Sequence, residues 1–92
     1  MRSFAVEGVD VPVLVSRVDG SFFACSGICP HEDVELGDGT LEPERLTVIC
    51  HAHGYCFDLK TGHCTPDDRL VLPRFRTEVV GDELWIELFA AP

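Results

Sequence analysis

The chain has 92 residues, 46% of them hydrophobic and 25% charged, and its 7 basic against 16 acidic side chains give a formal charge of −9. That length holds one domain with a modest core, and that charge disfavours a backbone-contacting role on DNA or RNA, which needs a basic face to displace counterions. No apolar run approaches the ~20 residues that span a bilayer. Glu7 interrupts the start before an apolar signal core could form. The expected setting is therefore the cytoplasm, without a membrane role, where thiols stay reduced. Five cysteines, an odd number, read there as ligands or buried apolar residues and not as a disulfide framework.

In chain order, residues 11–18 (V-P-V-L-V-S-R-V) are rich in β-branched side chains. Asp19-Gly20 is a two-residue turn signal, and residues 21–25 (S-F-F-A-C) complete a hairpin. At the other end, residues 75–80 and 83–89 flank Gly81-Asp82 in the same manner. There Glu83, Trp85 and Glu87 alternate with Leu84, Ile86 and Leu88, the pattern of a half-buried strand. Residues 26–73 differ in texture: they hold all four histidines and four of the five cysteines. Two short strands fit there, at 46–50 and 55–59, the second leading into the turn Lys60-Thr61-Gly62. The expected architecture is all-β, a small antiparallel two-sheet base built from residues 1–25 and 74–92 with a loop-rich subdomain inserted over about 26–73. Chemistry belongs on the insert, because loops on a rigid scaffold usually display ligands.

Within the insert two pairs stand out, Cys29-Pro30-His31 and Cys50-His51-Ala52-His53, with eighteen residues between His31 and Cys50. Two thiolates and two imidazoles suit a single tetrahedral zinc ion. They equally suit a [2Fe–2S] centre with two cysteines on one iron and two histidines on the other. Zinc modules usually group cysteine with cysteine and histidine with histidine, whereas here each loop supplies one of each, as a two-iron centre requires. His51 and His63 are read as surface residues and Cys25 as a small buried hydrophobe. Cys56 and Cys64 lie on the two arms of the hairpin around Lys60-Thr61-Gly62, where they could face each other as thiols. A nucleophilic Cys56 with His53 as base lacks an orienting third group, so no thiol enzyme is expected.

The two pairs with their flanks, C-P-H and C-H-A-H-G-Y-C-F-D, resemble the signature of the Rieske proteins, C-x-H … C-x-x-H-G-x-x-F-D. The likeness runs from about Phe4 to Phe89. It includes Leu36 with Gly37-Asp38-Gly39, Asp58 with Thr61-Gly62, and a proline-bearing segment, Thr65-Pro66-Asp67-Asp68 to Leu72-Pro73, where the family has a third loop over the cluster. The chain is most similar to the small ferredoxins of multicomponent, aromatic-ring oxygenase systems. The resemblance implies one [2Fe–2S] cluster, with Cys29 and Cys50 on the inner iron and His31 and His53 on the outer one, bound through Nδ1. It implies no catalytic residue, single-electron transfer from an NAD(P)H-dependent flavin reductase to a terminal oxygenase, and a monomer. A Rieske small subunit of an oxidoreductase such as assimilatory nitrite reductase is the main alternative, and a zinc- or cluster-stabilised interaction module the third.

Two departures from the family carry expectations of their own. The disulfide of the high-potential branch would fall at Val34 and Ala52, and the hydroxyls that reach its cluster sulfurs would fall at Tyr55 and Phe57. With fewer hydrogen bonds to sulfur, the expected potential lies at the low end of the Rieske range, near ~−150 mV. The family's ferredoxins also carry a strand before the segment that Phe4 matches, so the base sheet is expected to be one strand short. The acidic residues Glu32, Asp33, Glu35 and Asp38 follow the first ligand loop and are candidates for steering a partner.

Overall fold

The computed structural model describes residues 1–52, 54–65 and 67–90, the side chains of 88–90 excepted. Among these are nine strands: β1 (Arg2–Phe4), β2 (Val13–Val18), β3 (Ser21–Ser26), β4 (Thr40–Glu42), β5 (Thr47–Ile49), β6 (Cys56–Asp58), β7 (Cys64–Thr65), β8 (Arg74–Val80) and β9 (Glu83–Ala90). A single 3-10 turn at Leu36–Asp38 is the only helical element among the described residues, so none is long and apolar enough to cross a membrane. The architecture is all-β, as the residue pattern predicts. The two terminal hairpins form where expected, the first through a turn with Asp19 and Gly20 both at positive φ (51° and 80°). Strands β1 and β4 were not foreseen, because three residues are too few to show a period, while β7 is the short second arm of the hairpin expected around Lys60-Thr61-Gly62.

The strands make two antiparallel sheets, one of five in the order β1-β2-β3-β8-β9 and one of four in the order β4-β5-β6-β7. Strand β2 explains how they pack. Val13, Leu14, Val15 and Ser16 are all buried, which a strand achieves only when both of its faces are covered. On one face Val13, Val15 and Ala24 pack with Val6, Val9, Phe75, Leu84 and Ile86. On the other, Leu14 and its cross-strand partner Cys25 join Leu36, Val48, Phe57, Leu59 and Leu72 from the smaller sheet and its loops. Phe57, Leu14 and Leu36 are wholly inaccessible there. Cys29 and Cys50 belong to this second core, so they sit where the two sheets meet.

The register of the smaller sheet then sets the geometry of the insert. Thr40 lies opposite Ile49, Ile49 opposite Cys56, and Cys56 opposite Thr65. Those four residues adjoin three loops, 27–39, 50–55 and 66–73. Pairing in one row therefore brings all three loops to one end of the sheet. The turn at Lys60-Thr61 lies at the opposite end.

Candidate metal centre

The first loop leaves β3 at Ser26 and returns on itself. Leu36 N–H donates to the Gly27 carbonyl at 2.8 Å, Cys29 N–H to Val34 at 2.9 Å, and Glu32 N–H to Cys29 at 3.2 Å. Cys29 is thus held at the neck of the loop, with Pro30 to Asp33 at its tip. In the second loop, Cys50 N–H donates to the Tyr55 carbonyl at 2.8 Å and Gly54 N–H to Cys50 at 3.0 Å, which puts Cys50 at a neck of its own. Gly54 turns this loop at φ +71°, a left-handed conformation open to glycine without a Cβ clash. The sequence fixes the separation of the loops through Gly39, whose Cα packs against the carbonyl of Ile49 so closely that a Cβ has no room.

These necks make the Cys29 and Cys50 thiols neighbours, both buried, at 1% and 0% exposure. Burial pushes the Cys29 thiol up. The backbone N–H of His31 directed at its sulfur pulls it back, Cys50 beside it pushes it up again, and the N–H of Glu32 pulls it back once more. His31 is half-buried with its Nδ1 fully buried, and its ring stacks at a tilt of 44° on Tyr55, centroid to centroid 4.1 Å. Two adjacent inward thiols beside a buried imidazole nitrogen fit the donor set of a mixed cysteine–histidine iron–sulfur centre. His53, the fourth residue expected in the set, lies outside the described residues, as does Pro66. Among the described residues no three His, Cys, Asp or Glu side chains form a single-ion site.

The third loop is tied down from both sides. On one side the N–H of the buried Cys64 donates to the Leu70 carbonyl at 3.3 Å; burial raises the Cys64 thiol, the nearby Asp67 N–H lowers it, and the charges of Asp67 and Cys56 raise it. On the other, the Asp67 carboxylate accepts the Arg69 backbone N–H at 3.1 Å and its Nε and Nη2 at 3.0 Å each. Those hydrogen bonds from Arg69, with smaller help from the charges of Arg69 and His31, hold Asp67 below the usual carboxylate range. Asp67 therefore lies within electrostatic reach of His31, and Arg69 within reach of Tyr55.

Several expectations meet the structure here. His51 and His63 are exposed and Cys25 is buried, as read from the sequence. All five cysteines are free thiols. Cys56 and Cys64, however, do not face each other: Cys56 is opposite Thr65 and Cys64 opposite Phe57, and strand alternation puts them on opposite faces. The hairpin is offset by one residue from the symmetric pairing the sequence suggested. Asp58 causes this, its Oδ1 accepting Lys60 N–H at 2.7 Å and Thr61 N–H at 3.1 Å while its carbonyl accepts Gly62 N–H at 2.7 Å. The stacking of Tyr55 on His31, the Asp67–Arg69 clamp and the Cys64 anchor were missed. Only the D-x-R spacing of Asp67 and Arg69 could have signalled one of them.

Residues 1–76 match the model of the Rieske [2Fe-2S] domain, and the chain belongs to that family. It is a Rieske-type ferredoxin, an electron carrier and not an enzyme, and membership implies a Rieske cluster. It is 30% identical to sulredoxin of Sulfurisphaera tokodaii over 95% of this chain and 84% of that protein. It is 34% identical to the ferredoxin component of biphenyl 2,3-dioxygenase of Rhodococcus jostii, over 84% of this chain and 71% of that one. Among solved structures, a chain of the complex of reduced oxygenase and oxidized ferredoxin in carbazole 1,9a-dioxygenase superposes with a TM-score of 0.87 at 27% identity, covering 99% of this chain and 82% of its own.

Proposed function

We propose that this ferredoxin carries single electrons from an NAD(P)H-dependent flavin reductase to a terminal oxygenase, as a cytoplasmic monomer whose residues 26–73 form the cluster-binding insert. The observation that carries the reading is the pair of buried thiols, Cys29 and Cys50, held at the necks of two loops with the Nδ1 of His31 buried beside them. In this reading Cys29 and Cys50 hold the inner iron, and His31 and His53 hold the outer one through Nδ1. Bound there, a [2Fe–2S] cluster supplies one-electron chemistry. The chain's own residues do the rest. Phe57, Val48 and Leu36, each 0% exposed, exclude water behind the thiols, and the low dielectric they impose keeps reduction sensitive to every nearby dipole. The backbone N–H of His31 favours negative charge at the Cys29 sulfur. Tyr55 fixes the plane of His31, leaving its outer edge toward solvent and a docked partner.

Support for the oxygenase as acceptor comes from the relatives, which include ferredoxin components of dioxygenase systems and the oxygenase–ferredoxin complex. The test is spectroscopic. The purified protein should contain two irons and two acid-labile sulfides per chain, with a visible absorption that bleaches on one-electron reduction and an EPR signal of mixed histidine–cysteine ligation. Cys50→Ala should abolish all of these. A colourless protein that holds zinc would overturn the reading.

A further inference from the structure

The basic residues are scarce, seven in the chain, yet three of them, Lys60, Arg74 and Arg76, line one groove of about 270 Å³ together with Phe22, Phe23 and Phe75. None of its described lining residues is acidic, although acids outnumber bases by more than two to one in the sequence. The groove opens where β3 and β8 diverge: they pair at Ala24–Phe75 and Cys25–Arg74, after which β8 is irregular between Phe75 and Thr77 and Thr77 Oγ1 donates to the Phe22 carbonyl at 3.1 Å. Arg74 is held at the rim by donating to the carbonyl of Lys60. Arg76 has Glu87 at 4.0 Å, with 71% of its own side chain exposed, so its charge is only weakly met. Lys60 lies at the end of the smaller sheet remote from the three loops, and neither Cys29, His31 nor Cys50 lines the groove.

We infer that this groove is a second docking site, which takes an acidic segment carrying an aromatic or large apolar side chain from a redox partner protein. Phe23 shares the face of Cys25 and its cross-strand partner Arg74, and its partly exposed ring among the three cations complements carboxylates flanking such a side chain. The volume falls short of the ~300 Å³ at which enclosed small-molecule sites begin, and the groove is open, which favours side chains presented by a macromolecule. A second copy of this chain is disfavoured, because two bodies of charge −9 repel. Docking at this end would leave the three loops uncovered. The inference rests on the carrier reading only in making the occupant a redox partner's; binding itself is read without electron transfer.

The experiment titrates ¹⁵N-labelled, cluster-loaded protein with the peptide acetyl-Glu-Glu-Phe-Glu-amide, its lysine counterpart acetyl-Lys-Lys-Phe-Lys-amide, and sodium benzoate. The acidic peptide should shift the amides of Lys60, Phe75, Arg76 and Thr77, and the lysine peptide should not. The double variant Lys60→Glu/Arg76→Glu, both residues exposed, should keep the visible spectrum yet bind the acidic peptide about tenfold or more weakly, the loss of one charge-assisted hydrogen bond. Shifts confined to other surfaces, or none, would overturn the inference, and benzoate binding as tightly as the peptide would replace it with a small-anion site. Failure of the carrier reading would instead show as a missing cluster spectrum before any titration begins.

Discussion

Cys25 shows how far a single side chain can couple the core to pH. It lies at 2% exposure between the two sheets, and burial alone pushes its thiol from 9.0 up to about 12. A folded-state value above the unfolded one means that the folded chain holds its proton longer, so this contribution is complete below pH 9 and is lost as pH rises from about 9 to about 12. Three units correspond to about 4 kcal/mol at most. Urea unfolding should therefore show stability falling across that window, and Cys25→Ala should remove this part of the slope. Beside it, Phe57 is fully buried in the same core as Cys29 and Cys50, so Phe57→Ala should cost about 3–5 kcal/mol. Loss of visible absorption at a lower temperature than in the parent protein would register this. Tyr55 acts differently, through orientation: replacing it by Leu keeps bulk but removes the aromatic partner of His31, and the expected outcome is an altered EPR line shape with the iron content unchanged.

At the scale of elements, the loops that carry Cys29 and Cys50 owe their proximity to the β4–β7 register, and the register in turn to tight turns. Gly39 is the most exacting position, because any Cβ there drives into the backbone of Ile49, next to Cys50. Gly39→Ala should cost about 1–3 kcal/mol, as overpacking does, and weaken cluster retention during dialysis against a chelator. The Asp67–Arg69 clamp should behave in the opposite way. Arg69 is 86% exposed, so water screens the pair and its removal should leave the melting temperature nearly unchanged. Asp67→Ala should instead speed amide exchange in residues 67–70, where the Leu70 N–H bond to the Asp67 carbonyl at 3.1 Å would open more often. Equal exchange in both proteins would show that Cys64 alone holds the loop.

For the whole molecule the governing quantities are charge and potential. Glu32, Asp33, Glu35 and Asp38 are all exposed along the loop that carries Cys29 and His31, so a partner meeting that face should present positive charge. Raising ionic strength from low values to ~0.15 M, where screening reaches within about 8 Å, should slow electron delivery to an oxygenase; a rate indifferent to salt would remove the steering role. Phe57 offers no hydroxyl, and Tyr55 stands where the high-potential branch has a different hydroxyl side chain. The N–H groups that point at Cys29 are backbone ones, common to any loop of this shape. A potentiometric titration should accordingly give a value below zero, near ~−150 mV.

The sequence by itself determined the all-β class, the two terminal hairpins and the family. These rest on local signals: β-branched runs, turn dipeptides and the close spacing of Cys29 with His31 and Cys50 with His53. It also marked His51 and His63 as surface residues and Cys25 as core. Tertiary structure decided what depends on residues far apart in the chain. Whether Cys56 meets Cys64 was settled by a one-residue register set at the Asp58 turn, and the contact of Tyr55 with His31 by the packing of two loops 24 residues apart. The gathering of Lys60, Arg74 and Arg76 in one groove with Phe23 has no linear signature at all. It exists because two strands diverge after two paired residues, and only the folded backbone brings their flanks together.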